Sequence, residues 1–193
     1  MLHMVLVRPG ATDFDEQGRI KGTLDIPLSA SGASEVAQTV SELADVPVEV
    51  VYSAPCQSAA QTAAAVAQTH RAKVKTIDEL RNLDHGLWHG KLIEEVRQCQ
   101  PKVYRQWQDN PSSICPPGGE ALSSARERLR GAIGKIIKKH KSGVVAVVVP
   151  EPAASLVRCF LEDTELGNLW KAECDHGGWQ LIEIEPRKLV ATA

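Results

Sequence analysis

Arg8, Pro9 and Gly10 follow a short apolar run, His3 to Val7, so a guanidinium stands at the end of a strand. A cation held there suits an anionic ligand, because charge-assisted hydrogen bonds to carboxylate or phosphate are the strong ones. His176, just before Gly177-Gly178 and the last strand-like run, is a candidate base; the ordinary alternative is a solvated turn residue. Cys99-Gln100-Pro101-Lys102-Val103-Tyr104-Arg105 has the Cys-x5-Arg spacing of cysteine phosphatases. That chemistry needs a glycine-rich loop of N–H groups before a helix, and this segment has no glycine, so the spacing reads as chance. Asp13, Asp15 and Glu16 lack the glycine and closing glutamate of a calcium loop and read as a solvated loop. Metal and cofactor are both expected to be none.

Strands and helices must position these groups. Val46 to Tyr52 and Lys73 to Ile77 read as further strands, and Gly143 to Val149 as a strand buried on both faces. Ser29 or Ser31 can cap a helix running to about Ala44, and an alanine-rich helix follows Ser53-Ala54-Pro55 to about Gln68. Residues 91–109 read as helix broken at Pro101, and 120–140 as a helix with Leu122, Leu129, Ile133, Ile136 and Ile137 available for packing. A helix over Ala153 to Leu161 and a strand over Trp179 to Ile184 complete the pattern. Alternating strands and helices predict a three-layer α/β/α sandwich with a central, mostly parallel sheet, and the length suits a single domain over residues 1–193.

Composition excludes several classes. Of 193 residues, 43% are hydrophobic and 24% charged, as in an ordinary globular chain, and the formal charge of −2 argues against nucleic-acid or anionic-membrane surfaces. The five cysteines show no Cys-x-x-Cys spacing, so neither a zinc site nor a disulfide framework is expected. With no leader-like segment, a cytoplasmic location is expected.

Five blocks in order carry a resemblance. They are Arg8-Pro9-Gly10-Ala11-Thr12 with Gly18-Arg19; Tyr52-Ser53-Ala54-Pro55 with Ala59-Ala60-Gln61-Thr62-Ala63; Leu80 to Gly90; Pro117-Gly118-Gly119-Glu120-Ala121; and Val144 to Val149. This order resembles the histidine phosphatase superfamily, the phosphoglycerate mutase-like proteins. The resemblance implies that fold, and a reaction in which one His attacks phosphorus. A second His and two arginines bind the phosphoryl oxygens, and an acid protonates the leaving oxygen. Position by position, Arg8 matches the first arginine. Pro9 stands at the nucleophile, Ser58 at the second arginine, Asn82 at the acid and Pro150 at the second His.

The reading that follows is a protein of this fold that has given up phosphohistidine chemistry and binds a small anionic or neutral ligand, or a protein partner. Its pocket would comprise Arg8, Gly10, Thr12, Arg19, Ser58, Asn82 and His176, with Pro9 and Pro150 beside them. The rival is an active phosphomonoester hydrolase or mutase that recruits His176 or His89 instead. For His89 a surface role is expected, and for His85 a packing role. The four tryptophans are expected in the core or a cap.

Overall fold

The computed structural model describes residues 1–185. In chain order the elements are β1 (Leu2–Val7), α1 (Asp13–Glu16), α2 (Ala30–Glu42), β2 (Val48–Ser53), α3 (Gln57–His70), β3 (Lys73–Thr76), α4 (Ile93–Cys99), α5 (Pro101–Asp109), α6 (Leu122–Lys139), β4 (Gly143–Val148), α7 (Ala153–Glu162), α8 (Leu169–Glu173) and β5 (Trp179–Ile184). The sheet order is β3-β2-β4-β1-β5. β1, β2, β3 and β4 run parallel, and β5 returns antiparallel along β1, with Val7 opposite Trp179. The expected mostly parallel sheet flanked by helices is the fold observed.

Local chemistry explains most boundaries. Ser29 rather than Ser31 caps α2, its side chain accepting from the Gly32 N–H. Pro101 starts α5, where a missing N–H costs nothing. α6 buries Leu122, Ala125, Leu129, Ala132, Ile133, Ile136 and Ile137, the i, i+3, i+4 stripe of a helix with one face in the core. Emptying such a site, as in Leu129→Ala, costs about 2–5 kcal/mol. β4 is apolar throughout because both faces of its C-terminal half are buried. β3 differs: all four of its residues are exposed, Lys73 and Lys75 among them, and among the described residues it pairs only with β2.

Two short elements lacked a periodic signal. Asp13, Asp15 and Glu16 form the helix α1, not a solvated loop: Thr12 caps it in a reciprocal capping box with Asp15, whose carboxylate is buried against Lys21 Nζ. α8 is held by the Asn168 side chain at its first turn.

The chain crosses itself tightly after β1. A Cβ on Gly10 would lie 2.2 Å from the Gly32 carbonyl oxygen, and one on Gly32 would lie 2.0 Å from that of Ala11. Only hydrogen fits at either position. This contact presses the loop that carries Arg8 against the first turn of α2.

Candidate functional site

The C-terminal ends of β1, β4 and β2 lie side by side, and the chain passes from β1 to β2 across β4. Ligands of open α/β sheets bind at such a reversal. Beyond β1 come Arg8, Pro9 and Gly10; beyond β4, Val149, Pro150 and Glu151. The Val149 N–H donates to the Val7 carbonyl at 3.0 Å, so the two ends stay paired. Pro9 and Pro150 are both buried.

Asn82 is also buried, and both ends of its amide are taken. Nδ2 donates to the Glu151 carbonyl at 2.8 Å, and Oδ1 accepts the Ala153 N–H at 3.2 Å. It fastens the turn after β4. The Ser58 hydroxyl lies 3.6 Å from Cys56 Sγ. The Ser58 carbonyl accepts the Thr62 hydroxyl, which in turn accepts from the Gly10 N–H. The structure therefore brings Arg8, Pro9, Gly10, Ser58, Asn82 and Pro150 to one end of the sheet.

Two expected members are elsewhere. Thr12 is spent on capping α1. Arg19 donates from Nη1 to the Gly90 carbonyl at 2.7 Å and from Nε to Gln17, clasping two loops, and it lines none of the clefts that Arg8 lines.

Arg8 turns toward β5. Its Nε donates to the Gly177 carbonyl at 2.8 Å, and its Nη1 lies 3.7 Å from Asp175. Main-chain bonds from Arg8 N to Gly178 O and from Gly177 N to Pro9 O hold the same segment. Arg8 borders two clefts. One, of about 90 Å³, holds Glu151 and Arg158; the other, of about 300 Å³, holds Glu35, Glu42 and His176. A third cleft, of about 200 Å³, lies beside Asn82, Cys56 and Arg81, and Arg8 does not line it. Burial pushes the Glu151 carboxyl above its ordinary range. The Ser155 hydrogen bonds and the nearby Arg8 charge oppose that rise, and Asp175 adds to it.

The histidines divide sharply. His89 does not have the surface role expected of it: half-buried, its Nε2 accepts N–H groups from both Thr23 (3.2 Å) and His85 (3.1 Å). Its proton therefore sits on Nδ1, and its lone pair is not available to a substrate. Burial holds its pKa below the ordinary histidine value, against the raising effect of Asp84. His85 is buried, as a packing role requires, but it also faces Glu173 at 3.1 Å inside a wall of Trp88 and Trp107. Trp88, Trp107 and Trp170 are core residues, while Trp179 is half-buried.

His176 is held from the other ring nitrogen. Its Nδ1 meets Glu35 Oε2 at 2.9 Å, and that oxygen also accepts the Ala11 N–H at 3.0 Å.

Glu35 and Asp175 were not visible as site residues. Glu35 sits in an outwardly polar helix, and its two contacts join residues 24 and 141 positions away, which no local pattern encodes. Cys99 ends α4 and Arg105 lies within α5, so that spacing builds no phosphate loop, and all five cysteines are free. Among the described residues, no cluster of His, Cys, Asp and Glu forms a metal site. None of their helices is long and apolar enough to cross a membrane.

Known proteins place this architecture. The profile of the histidine phosphatase superfamily (branch 1) matches residues 4–193. Phosphoserine phosphatase 1 of Hydrogenobacter thermophilus is 30% identical over 190 residues, spanning 98% of this chain and 90% of its own. The uncharacterized phosphatase PhoE of Bacillus subtilis is 27% identical, spanning 77% and 71%. Among solved structures, Bacillus stearothermophilus YhfR superposes with a TM-score of 0.86 at 24% identity, covering 96% of this chain and 93% of that one. A mutant phosphoserine phosphatase of Entamoeba histolytica, in complex with phosphoserine, superposes with a TM-score of 0.80 at 20% identity, covering 94% and 90%.

Proposed function

The chain belongs to the histidine phosphatase superfamily, and from that premise we propose that it binds a small anionic ligand at Arg8 without passing through a phosphohistidine. One observation carries this reading. At the strand ends, the positions that the family resemblance assigns to the two histidines and the acid hold Pro9, Pro150 and a doubly bonded Asn82, while Glu151 and His176 stand in the clefts that Arg8 borders. Pro9, Pro150 and Asn82 offer no ring nitrogen for nucleophilic attack and no carboxylic proton for the leaving group. Arg8 itself is half-exposed and keeps one guanidinium nitrogen, Nη2, without a hydrogen bond among the described residues. It is thus able to anchor an oxyanion.

A second reading has specific support: phosphomonoester hydrolysis with His176 as the replacement group. It is favoured by the His176–Glu35 contact beside Arg8 and by the names of relatives such as phosphoserine phosphatase 1. The two readings part on one assay. Phosphate release from a panel of phosphomonoesters, O-phosphoserine included, is measured for the wild type, Arg8→Ala and His176→Ala. The first reading expects wild-type release no greater than that of Arg8→Ala. Release that vanishes in both variants overturns it and establishes the second.

A further inference from the structure

Arg8 has two sides, and their polar groups differ in what they have left to give. Toward β4 the cleft that Arg8 shares with Glu151 and Arg158 is the smaller of its two, about 90 Å³; the cleft beside Asn82, whose amide is used at both ends, does not reach Arg8. Toward α2 and β5, the cleft of about 300 Å³ is lined by both Arg8 and His176. Glu35 Oε2 is fixed from one direction by the Ala11 N–H and from another by His176 Nδ1. A carboxylate there keeps the proton on Nδ1, which leaves the Nε2 lone pair for the cleft. No hydrogen bond among the described residues engages His176 Nε2 or Arg8 Nη2.

The acidic groups around them are occupied. Asp175 pairs with Arg8, Glu42 accepts from Trp179 Nε1 and Gln38, and Glu16 accepts from Ser31.

We infer that the ligand site lies on this side of Arg8. Arg8 Nη2 and His176 Nε2 are its contact atoms, Glu35 is a positioning residue, and the ligand is an oxyanion that brings its own proton, such as a phosphate monoester monoanion. The anionic oxygen meets the guanidinium, while the acidic O–H donates to the imidazole. A fully ionised oxyanion would set a lone pair against the Nε2 lone pair and gain only the contact with Arg8. The glycine pair beside the cleft supports close approach, since any side chain at Gly178 would begin 3.1 Å from Arg8 Nη2. This inference rests on the reading that Arg8 anchors the ligand, but it adds where and through which partner.

The test uses the full chain and inorganic phosphate as probe, followed by NMR. The amides of Gly177 and Gly178 and the His176 ring are expected to shift on addition of phosphate at pH 7. Arg8→Ala removes the effect, and His176→Asn weakens the apparent affinity about tenfold. Imidazole ¹⁵N shifts are expected to show the Nδ1–H form of His176 in the wild type. Glu35→Leu loses that form, and Glu35→Asp restores it at least in part. Phosphate shifts confined to Leu6, Glu151 and Arg158, in the other cleft that Arg8 borders, would overturn this placement while leaving Arg8 binding itself intact, whereas shifts confined to Cys56, Arg81 and Asn82 would overturn both. An absence of phosphate shifts anywhere would overturn both. A His176 tautomer indifferent to Glu35→Leu would remove the positioning role.

Discussion

The protein contains the same chemical pair twice, a histidine against a glutamate, and the two have opposite consequences. His85 and Glu173 sit 3.1 Å apart with side chains 1% and 2% exposed, walled by tryptophan. His176 and Glu35 sit 2.9 Å apart with both side chains 32% exposed at the edge of a cleft. In the first pair, His85 Nδ1 and Glu173 Oε1 have no hydrogen-bond partner among the described residues, which is a cost borne for holding α8 against the loop of residues 81–90. In the second, the spare nitrogen faces open space where a ligand can reach it. Solvent access, not residue type, separates a structural pair from a usable one.

The largest effect should come from breaking the buried pair. Glu173→Ala leaves the buried His85 Nε2 without its hydrogen bond, and is expected to lower stability by about 1–3 kcal/mol in chemical denaturation. Replacing both partners by apolar residues of similar volume should recover most of that loss. If the single variant loses less than about 1 kcal/mol, the contrast between the pairs collapses. Glu35→Gln at the half-exposed pair is expected to cost only about 0–1 kcal/mol in the same experiment. Its effect should appear instead in the ring shifts of His176.

Two smaller effects depend on pH. Glu151 has a folded pKa above its ordinary value of 4.5, so it favours the folded state when protonated. That stabilisation is complete below the unfolded pKa and is lost as pH rises through the folded one. Glu151→Gln should therefore gain stability over the wild type as pH climbs from about 4.5, read as a widening gap between their urea midpoints. His89 runs the other way. Its folded pKa lies below 6.5, so its contribution is present above that value and is lost as pH falls through the folded pKa. In His89→Gln, an amide oxygen can accept the same two N–H groups, and the stability curve below pH 6.5 should flatten. A His89→Gln curve that parallels the wild type would remove His89 as the cause.

The framework was legible in the residues because it depends on local repetition. The apolar stripe of α6, Pro101 at the head of α5 and the unbroken apolar run of β4 each announce their element. Arg8, Pro9, Asn82 and Pro150 were legible as neighbours through the order of their blocks, and the strand ends do bring them together, although Asn82 is spent on fastening the turn after β4. Arg19 and His89 were misjudged because a side chain's partner is set by loop packing. Arg19 reaches Gly90 and His89 reaches Thr23, across separations of 71 and 66 residues. Glu35 and Glu173 were invisible for the same reason. Each reads as a solvated helical acid until the fold sets a histidine opposite it.

The exposed strand β3 bears on how this protein behaves when concentrated. An edge strand presents free main-chain donors and acceptors to any second copy. Here Lys73 and Lys75 stand on that border, and two copies aligned edge to edge would bring four ammonium groups together. That repulsion is ionic and therefore falls with added salt, over a screening length of about 10 Å at 0.1 M and about 3 Å at 1 M. High-salt storage would thus weaken this guard on the border. Light scattering that rises with salt in the wild type, and already at low salt in a Lys73→Ser, Lys75→Ser variant, is the expected sign.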